Sequence, residues 1–374
     1  KSERDGHPVY RKNLKQWILK ITNYAEKLLE GLDDVDYFES VKSGQRHWIG
    51  RKEGISIDYP VVDSNEVITC FTTRPDTNFG TTFIALAPEH PLAKKVSKDN
   101  QEVKDYIESV KVKSEIERQE EGKENTGVFT GLYALNRLNE NKIPVWVADY
   151  VLPDFGTGAV VGVPGNHKRD FIFAKKYGLD IIEVVESPEN TTTGNDFPEN
   201  ADEVYEDYGV VKNSDFLNGM NSEMAIKAIS DFLEEKGWGK REVTYNLRDQ
   251  IWSRQRYWGD PIPLVYKEDG TVEADYNLPV VLPELEDFLP EDGQSPLEKV
   301  PQWYNTKARD GTPAKRETDT MPTWAGSNWY YLRYIDPNNS EIFADYHKLK
   351  YWLPVDKYFG DAGHTNAHLL YTRF

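Results

Sequence analysis

One cysteine, Cys70, occurs in the whole sequence. That excludes an internal disulfide or a cysteine-cluster zinc site within the chain and suits a reducing, cytoplasmic setting. Cys70 sits in an apolar run, where a buried structural thiol is expected. Long apolar stretches are missing too: no run reaches the length that spans a bilayer, and Lys1 to Pro8 carry no apolar leader segment. A soluble protein with no membrane partner is expected. Position 1 is not Met, and the opening residues read as mid-domain, so a portion of a longer protein is expected. Basic charge is in deficit, with 63 Asp and Glu against 45 Lys and Arg and a formal net charge of −18. A protein that chiefly coats nucleic acid needs clustered cations, which this balance argues against.

The 374 residues leave room for two or three domains. Leu14, Trp17, Ile18, Ile21, Ala25, Leu28 and Leu29 recur at helical spacing, predicting an amphipathic helix from Arg11 to a left-handed end at Gly31. Gly50 and Gly54 bracket a short charged run, predicting a sharp change of direction and a domain boundary near Gly54. From there to Arg241 short β-prone runs alternate with helices. Strands are expected at 55–62, 66–73, 82–86, 142–150, 159–163 and 181–186, and helices at 100–121, 169–177 and 221–236. The acidic stretch 187–208 reads as a surface loop. This mixture favours a compact, β-rich α/β domain over 55–241, set between a first segment, 1–54, and a last one, 242–374, with an acidic, proline-rich insertion at about 267–317. Past Glu242 arginines alternate with Trp and Tyr, as in Arg254-Gln255-Arg256-Tyr257-Trp258. Such residues either pair phosphates and stack bases or pack together in a core.

Three constellations could carry chemistry. The run Val67, Ile68, Cys70, Phe71 stops abruptly at Thr72-Thr73-Arg74-Pro75-Asp76-Thr77, which is either a strand opening into a pocket or a strand ending in a Pro-Asp turn. Far along the chain, Gly156-Thr157-Gly158 permits a tight turn before the apolar run Ala159 to Val163, and Arg169-Asp170 then opens a helix. Asp170 would bind a substrate ammonium or simply favour the helix dipole; if it binds the ammonium, its removal is expected to cost the fold no more than a helix-start charge, below about 1 kcal/mol. His364 and His368, spaced i, i+4, could share a metal, but no Glu follows His364, leaving a polar pair that lines a cleft or packs on Tyr371. No metal site is assigned.

Taken together these residues resemble bacterial-type leucyl-tRNA synthetase, a class I aminoacyl-tRNA synthetase, over nearly the whole chain. The matching blocks are Gln45 to Gly54, Thr72 to Thr77, Thr126 to Leu132, Ile143 to Val151, Gly156 to Asp170, Ser253 to Gly259 and Met321 to Pro337. Arg74-Pro75-Asp76-Thr77 and Trp324 to Tyr334 look leucyl, whereas valyl and isoleucyl relatives share only the general editing fold. The resemblance implies a β-rich editing domain inserted into a Rossmann-like class I synthetase catalytic domain. It also implies a monomeric enzyme that hydrolyses the ester of mischarged tRNA(Leu), carrying isoleucine or norvaline, with the tRNA 3′ end and the aminoacyl ester as partners. Editing is needed because a hydrophobic pocket separates near-isosteric substrates by only about 1–3 kcal/mol.

On the same resemblance, Thr72 and Thr73 position the attacking water and stabilise the oxyanion, Arg74 holds the site and the RNA end, and Asp170 binds the ammonium. Asp76 and Thr77 belong to the substrate pocket, Thr77 obstructing leucine; Val161 and Val163 either line the same pocket or only pack their strand, while His364 and His368 fall near an adenylate pocket. Editing needs no cofactor. The full-length family ligates leucine to tRNA(Leu) with ATP and Mg, but its His-x-Gly-His and Lys-Met-Ser-Lys-Ser signatures are missing here, so synthesis by this chain alone is not expected. Departures from the family pattern stand at Asn166-His167 (for His-Asp), at Lys307 to Thr312 (for a Cys pair) and at Gly363 (for Glu). The alternatives are a non-catalytic RNA- or protein-binding module and a valyl- or isoleucyl-type editing enzyme.

Overall fold

The computed structural model describes residues 14–111, 117–118, 124–153, 156–188, 204–289 and 294–374. The chain divides into two units, residues Lys52–Thr244 and the two flanking segments, up to Arg51 and Tyr245–Phe374. Among the described residues no helix is long and apolar enough to cross a membrane.

The inner unit is a mixed α/β body. Its entry strand β2 (Lys52–Pro60) lies between β3 (Val67–Thr72) and the exit strand β10 (Gly239–Thr244), antiparallel to both. A second sheet has the order β5 (Gly127–Asn136), β6 (Asn141–Ala148), β4 (Phe83–Leu86), β7 (Ala159–Gly162), with β4 and β6 parallel. The register turns Ile55, Ile57, Tyr59, Ile68 and Cys70 into one core with Ile84, Leu86, Val145 and Val147. Burial pushes the Cys70 thiol well above its usual range. Val103, Ile107 and Val110 cover this body from the helix Gln101–Lys111, and Ala225, Ile229 and Leu233 do so from the helix Ser222–Glu235. The helix Lys168–Tyr177 ends at Gly178, φ +66°, a left-handed terminus that glycine adopts without strain.

Several sequence expectations change. The first helix does not run from residue 11: residues 14–17 are irregular, Ile18–Leu19 form β1, a 3₁₀ turn covers Ile21–Tyr24, and only Ala25–Glu30 are α-helical. Pairing wins over periodicity there, because β1 pairs with β11 (Gln250–Ile251) and the Trp17 carbonyl accepts the Trp252 N–H at 2.7 Å. Gly31 is right-handed, φ −66°. Of the glycine pair, Gly50 caps the helix Glu39–Ile49 at φ +58°, whereas Gly54 lies inside β2. The run 181–186 supplies a strand only at Val185–Glu186. Beyond the helix Gln101–Lys111, most of the stretch expected to continue it to 121 lies outside the described residues, as does 189–203 of the expected loop.

In the flanking unit, Ile21, Ala25, Leu28, Ile49, Leu247 and Leu370 form a core drawn from both segments. The stretch 267–317 contributes Val272–Ala274, Asn305–Lys307 and Pro313–Arg316 to a four-stranded sheet with Leu264–Lys267. At the Lys307 to Thr312 departure, an Asp310 carboxylate closes the turn on the Thr312 N–H at 3.0 Å and pairs with Lys267 at 2.7 Å.

Candidate active site

Strand β3 delivers Thr72 and Thr73 to its open end, and Pro75 then starts a 3₁₀ turn, Pro75–Gly80, that doubles the chain back. The Thr72 hydroxyl accepts the Arg74 N–H at 3.0 Å, and the Thr77 hydroxyl donates to the Arg74 carbonyl at 2.9 Å. Asp76 has no exposed surface. Its carboxylate takes the Arg74 guanidinium through two N–H groups, at 3.0 and 2.8 Å. A fork of this kind fixes both position and plane of the guanidinium. Asp76, expected in the substrate pocket, lies behind Arg74 and is absent from the cavity lining.

The facing wall is β7 and the start of the helix Lys168–Tyr177. The buried Asp170 carboxylate accepts the Val163 N–H at 3.0 Å with one oxygen and the Arg169 Nε–H at 3.0 Å with the other. The Arg169 guanidinium lies 4.5 Å over the Tyr150 ring. Burial, reinforced by the Asp170 charge, pushes the Tyr150 hydroxyl well above the usual tyrosine range. Asp170 is thus more than a helix-start charge: it satisfies a buried backbone donor and pairs a partly covered cation. His167 approaches Asp170 at 3.9 Å and Glu206 at 4.0 Å. Asn166 is turned inward, its amide oxygen accepting from Val184 and Val185 N–H and its nitrogen donating to the Val185 and Tyr205 carbonyls.

Both walls enclose a cavity of about 490 Å³. Thr72, Thr73, Arg74, Thr77, Val161, Val163 and Asp170, singled out along 99 positions of sequence, all line it. Asn166 and His167, noted in the sequence as a departure beside Asp170, line it too, and so do Lys52, Tyr150, Arg169 and Glu206, which were not foreseen as site residues. Arg169 carried a signal, its adjacency to Asp170; Glu206 lies in a stretch without periodicity and carried none.

His364 and His368 lie in the other unit, on the helix Ala362–Arg373. Their rings stack on each other at 4.6 Å and on Tyr358, whose hydroxyl meets His368 Nε2 at 2.7 Å. Burial and then the neighbouring His364 hold His368 below the ordinary histidine range. Tyr371, the expected packing partner, stacks on Trp324 instead. A second cavity in this unit, of about 360 Å³, includes Trp17, Tyr266, Glu317 and Asp319 in its lining.

A family model described as "Leucyl-tRNA synthetase, editing domain" matches residues 46–234, about half of the chain. Among solved structures, the agnB2 LeuRS of Agrobacterium radiobacter K84, in a ternary LeuRS-tRNA-LeuAMS complex, is similar at 36% identity over 99% of this chain, with a TM-score of 0.76. This chain spans 43% of the length of that one. The matched residues contain both walls of the cavity, and the likeness extends through the flanking unit. By sequence family and by fold, the chain belongs to the leucyl-tRNA synthetases, its inner unit being their editing domain.

Proposed function

We propose that the inner unit hydrolyses the ester between a non-cognate amino acid, such as isoleucine or norvaline, and the 3′ end of tRNA(Leu). The observation that carries this reading is the convergence of Thr72, Thr73, Arg74 and Thr77 with Asp170, Val161 and Val163 on one cavity. A hydroxyl has one donor and two acceptor positions. The Arg74 N–H uses one acceptor on Thr72, so Thr72 still accepts from a water and donates to the oxygen that becomes negative as the water attacks. Thr73, exposed beside it, offers the same pair of functions. The step forms a C–O bond from water to the carbonyl carbon and breaks the C–O bond to the ribose. The water's protons end on the departing ribose oxygen and in solvent.

Asp170 receives the ammonium. An ionised carboxylate offers about four acceptor positions; Val163 and the Arg169 fork occupy its near side, and the remaining position faces the substrate. Thr77 is β-branched and its hydroxyl is held by the Arg74 carbonyl, so its bulk is fixed and acts as a size barrier against leucine. ATP-dependent ligation belongs, on this reading, to the longer protein of the family, a cytoplasmic monomer. The test is incubation of the chain with isoleucyl-tRNA and leucyl-tRNA, with tRNA binding measured in parallel. Selective loss of the isoleucyl ester is expected. Folded, tRNA-bound protein that leaves both esters at the buffer rate overturns the reading and favours a non-catalytic RNA-binding module.

A further inference from the structure

His167 holds the cap position of the helix Lys168–Tyr177, yet its side chain makes no cap bond. The imidazole is half exposed and lines the cavity. Its Nδ1 lies 3.9 Å from an Asp170 oxygen and 4.0 Å from a Glu206 oxygen, so carboxylates from two separate segments flank one edge of the ring. Glu206 is tied to both walls: its carboxylate accepts the Lys168 N–H at 2.8 Å and its carbonyl accepts from the Arg74 guanidinium at 3.1 Å. The cations of the cavity lining are Lys52, Arg74 and Arg169; Arg74 is forked onto Asp76, and Arg169 is paired with Asp170. An ammonium seated on Asp170 puts the ester carbonyl one carbon away, which brings the ring beside Asp170 close to the water that attacks this carbonyl. The Thr72 and Thr73 hydroxyls can orient that water but cannot keep its proton, whereas an imidazole takes up and returns a proton near neutral pH.

We propose that His167 is the general base of the hydrolysis, its Nε2 taking a proton from the attacking water while Asp170 and Glu206 flank Nδ1 and stabilise the imidazolium that forms. This rests on the hydrolytic reading above and adds the group that handles the proton. The water oxygen bonds to the carbonyl carbon and the C–O bond to the ribose breaks. The proton on Nε2 passes to the departing ribose oxygen, which returns the imidazole to its starting form, and the water's other proton leaves the carboxylic acid product for solvent. Glu206 is a positioning residue: it faces the imidazole, not the ester.

The experiment follows hydrolysis of isoleucyl-tRNA(Leu) by the full chain from about pH 5.5 to about pH 8, buffer rate subtracted, for the parent and its His167→Asn, His167→Ala and Glu206→Gln variants. The parent's kcat should fall on the acid side, by about tenfold per pH unit once an imidazole holds its proton. His167→Asn should be slower by about 100-fold at neutral pH with KM little changed, and the acid limb should be gone. Added imidazole should restore part of the His167→Ala rate in proportion to its free-base concentration, which a merely structural role would not permit. Glu206→Gln removes a charge that stabilises the imidazolium, so it should keep the limb but move it to lower pH. If His167→Asn keeps the parent's rate, or is slower but keeps the limb, the proposal is overturned while ester hydrolysis stands. Should His167→Asn lose its fold, His167→Ala decides: rescue by imidazole supports the proposal and its failure overturns it. A parent that cleaves the ester at no pH overturns hydrolysis itself, and the proposal with it.

Discussion

Replacing Asp170 separates its structural contribution from its chemical one. Asp170→Ala leaves the buried Val163 N–H without its acceptor, a loss of about 1–3 kcal/mol. It also unpairs Arg169, whose side chain is 35% exposed, so that solvent screening limits this part to about 1 kcal/mol. The variant should therefore be less stable by ~2–4 kcal/mol, well above the helix-start charge effect that the sequence suggested. Asp170→Asn keeps an oxygen for the Val163 N–H and loses only the charge, so it should cost about 1 kcal/mol. Both variants should lose ester hydrolysis, because neither presents an anion to the ammonium. The assay is hydrogen exchange against urea on peptides from β5 and β6, which reports the inner unit alone. With a urea slope of about 3 kcal/mol/M, Asp170→Ala should lower the midpoint by ~1 M and Asp170→Asn by roughly a third of that. Equal midpoints for the two variants, or an alanine variant as stable as the parent, would refute the assignment of Asp170 as the acceptor for Val163.

Thr77→Ala should admit the leucyl ester, and leucyl-tRNA surviving that variant as long as it survives the parent rules Thr77 out as the size barrier. Gly54→Ala places a methyl 2.4 Å from the Thr72 carbonyl oxygen and 2.6 Å from the Phe71 ring; the strands must part, so thermal unfolding should show ~1–3 kcal/mol of destabilisation and hydrolysis should slow through displaced Thr72. His90 accepts the Leu92 N–H on Nδ1 at 3.1 Å, capping the helix Pro91–Val96, and burial depresses its pKa. Protonation removes that acceptor and favours the unfolded chain. The stabilisation is therefore complete above the free-histidine pKa near 6.5 and declines as pH falls below it. His90→Asn keeps a cap and should flatten this acid slope in pH-dependent melting; an unchanged slope excludes His90 as its source.

Local pattern made much of the inner unit legible. Val67–Thr72 reads as a strand because its apolar run ends in hydroxyls, and the helices Lys168–Tyr177 and Ser222–Glu235 read as such because apolar positions recur at helical spacing ahead of Gly178 and Gly237. The site was legible as two distant segments, and only the fold supplies the cavity that joins them. Long-range pairing stayed hidden. In β10, Lys240, Arg241, Glu242 and Val243 are all exposed, so nothing in their polarity announces a strand; pairing with β2 creates it. Gly131 at φ +82° interrupts β5 where its register shifts between Phe129 and Tyr133. Asp76 and Asp170 show the same limit at the level of single side chains. Each carboxylate was visible, but not the donor it faces.

Pairing of β2 with β10 sets Lys52 opposite Thr244, and on the other side of the junction the Ile49 carbonyl accepts the Asn246 and Leu247 N–H groups at 3.0 and 3.1 Å. Contacts across the flanking unit therefore join residues almost two hundred positions apart in sequence. In an unfolded chain such contacts form slowly, because a loop of that length must close before they gain anything. Once the inner unit has folded, its two ends are neighbours in a ladder, and the same contacts close over a gap of a few residues. The β2–β10 ladder thus acts as a clasp that brings the two flanking segments within reach of each other.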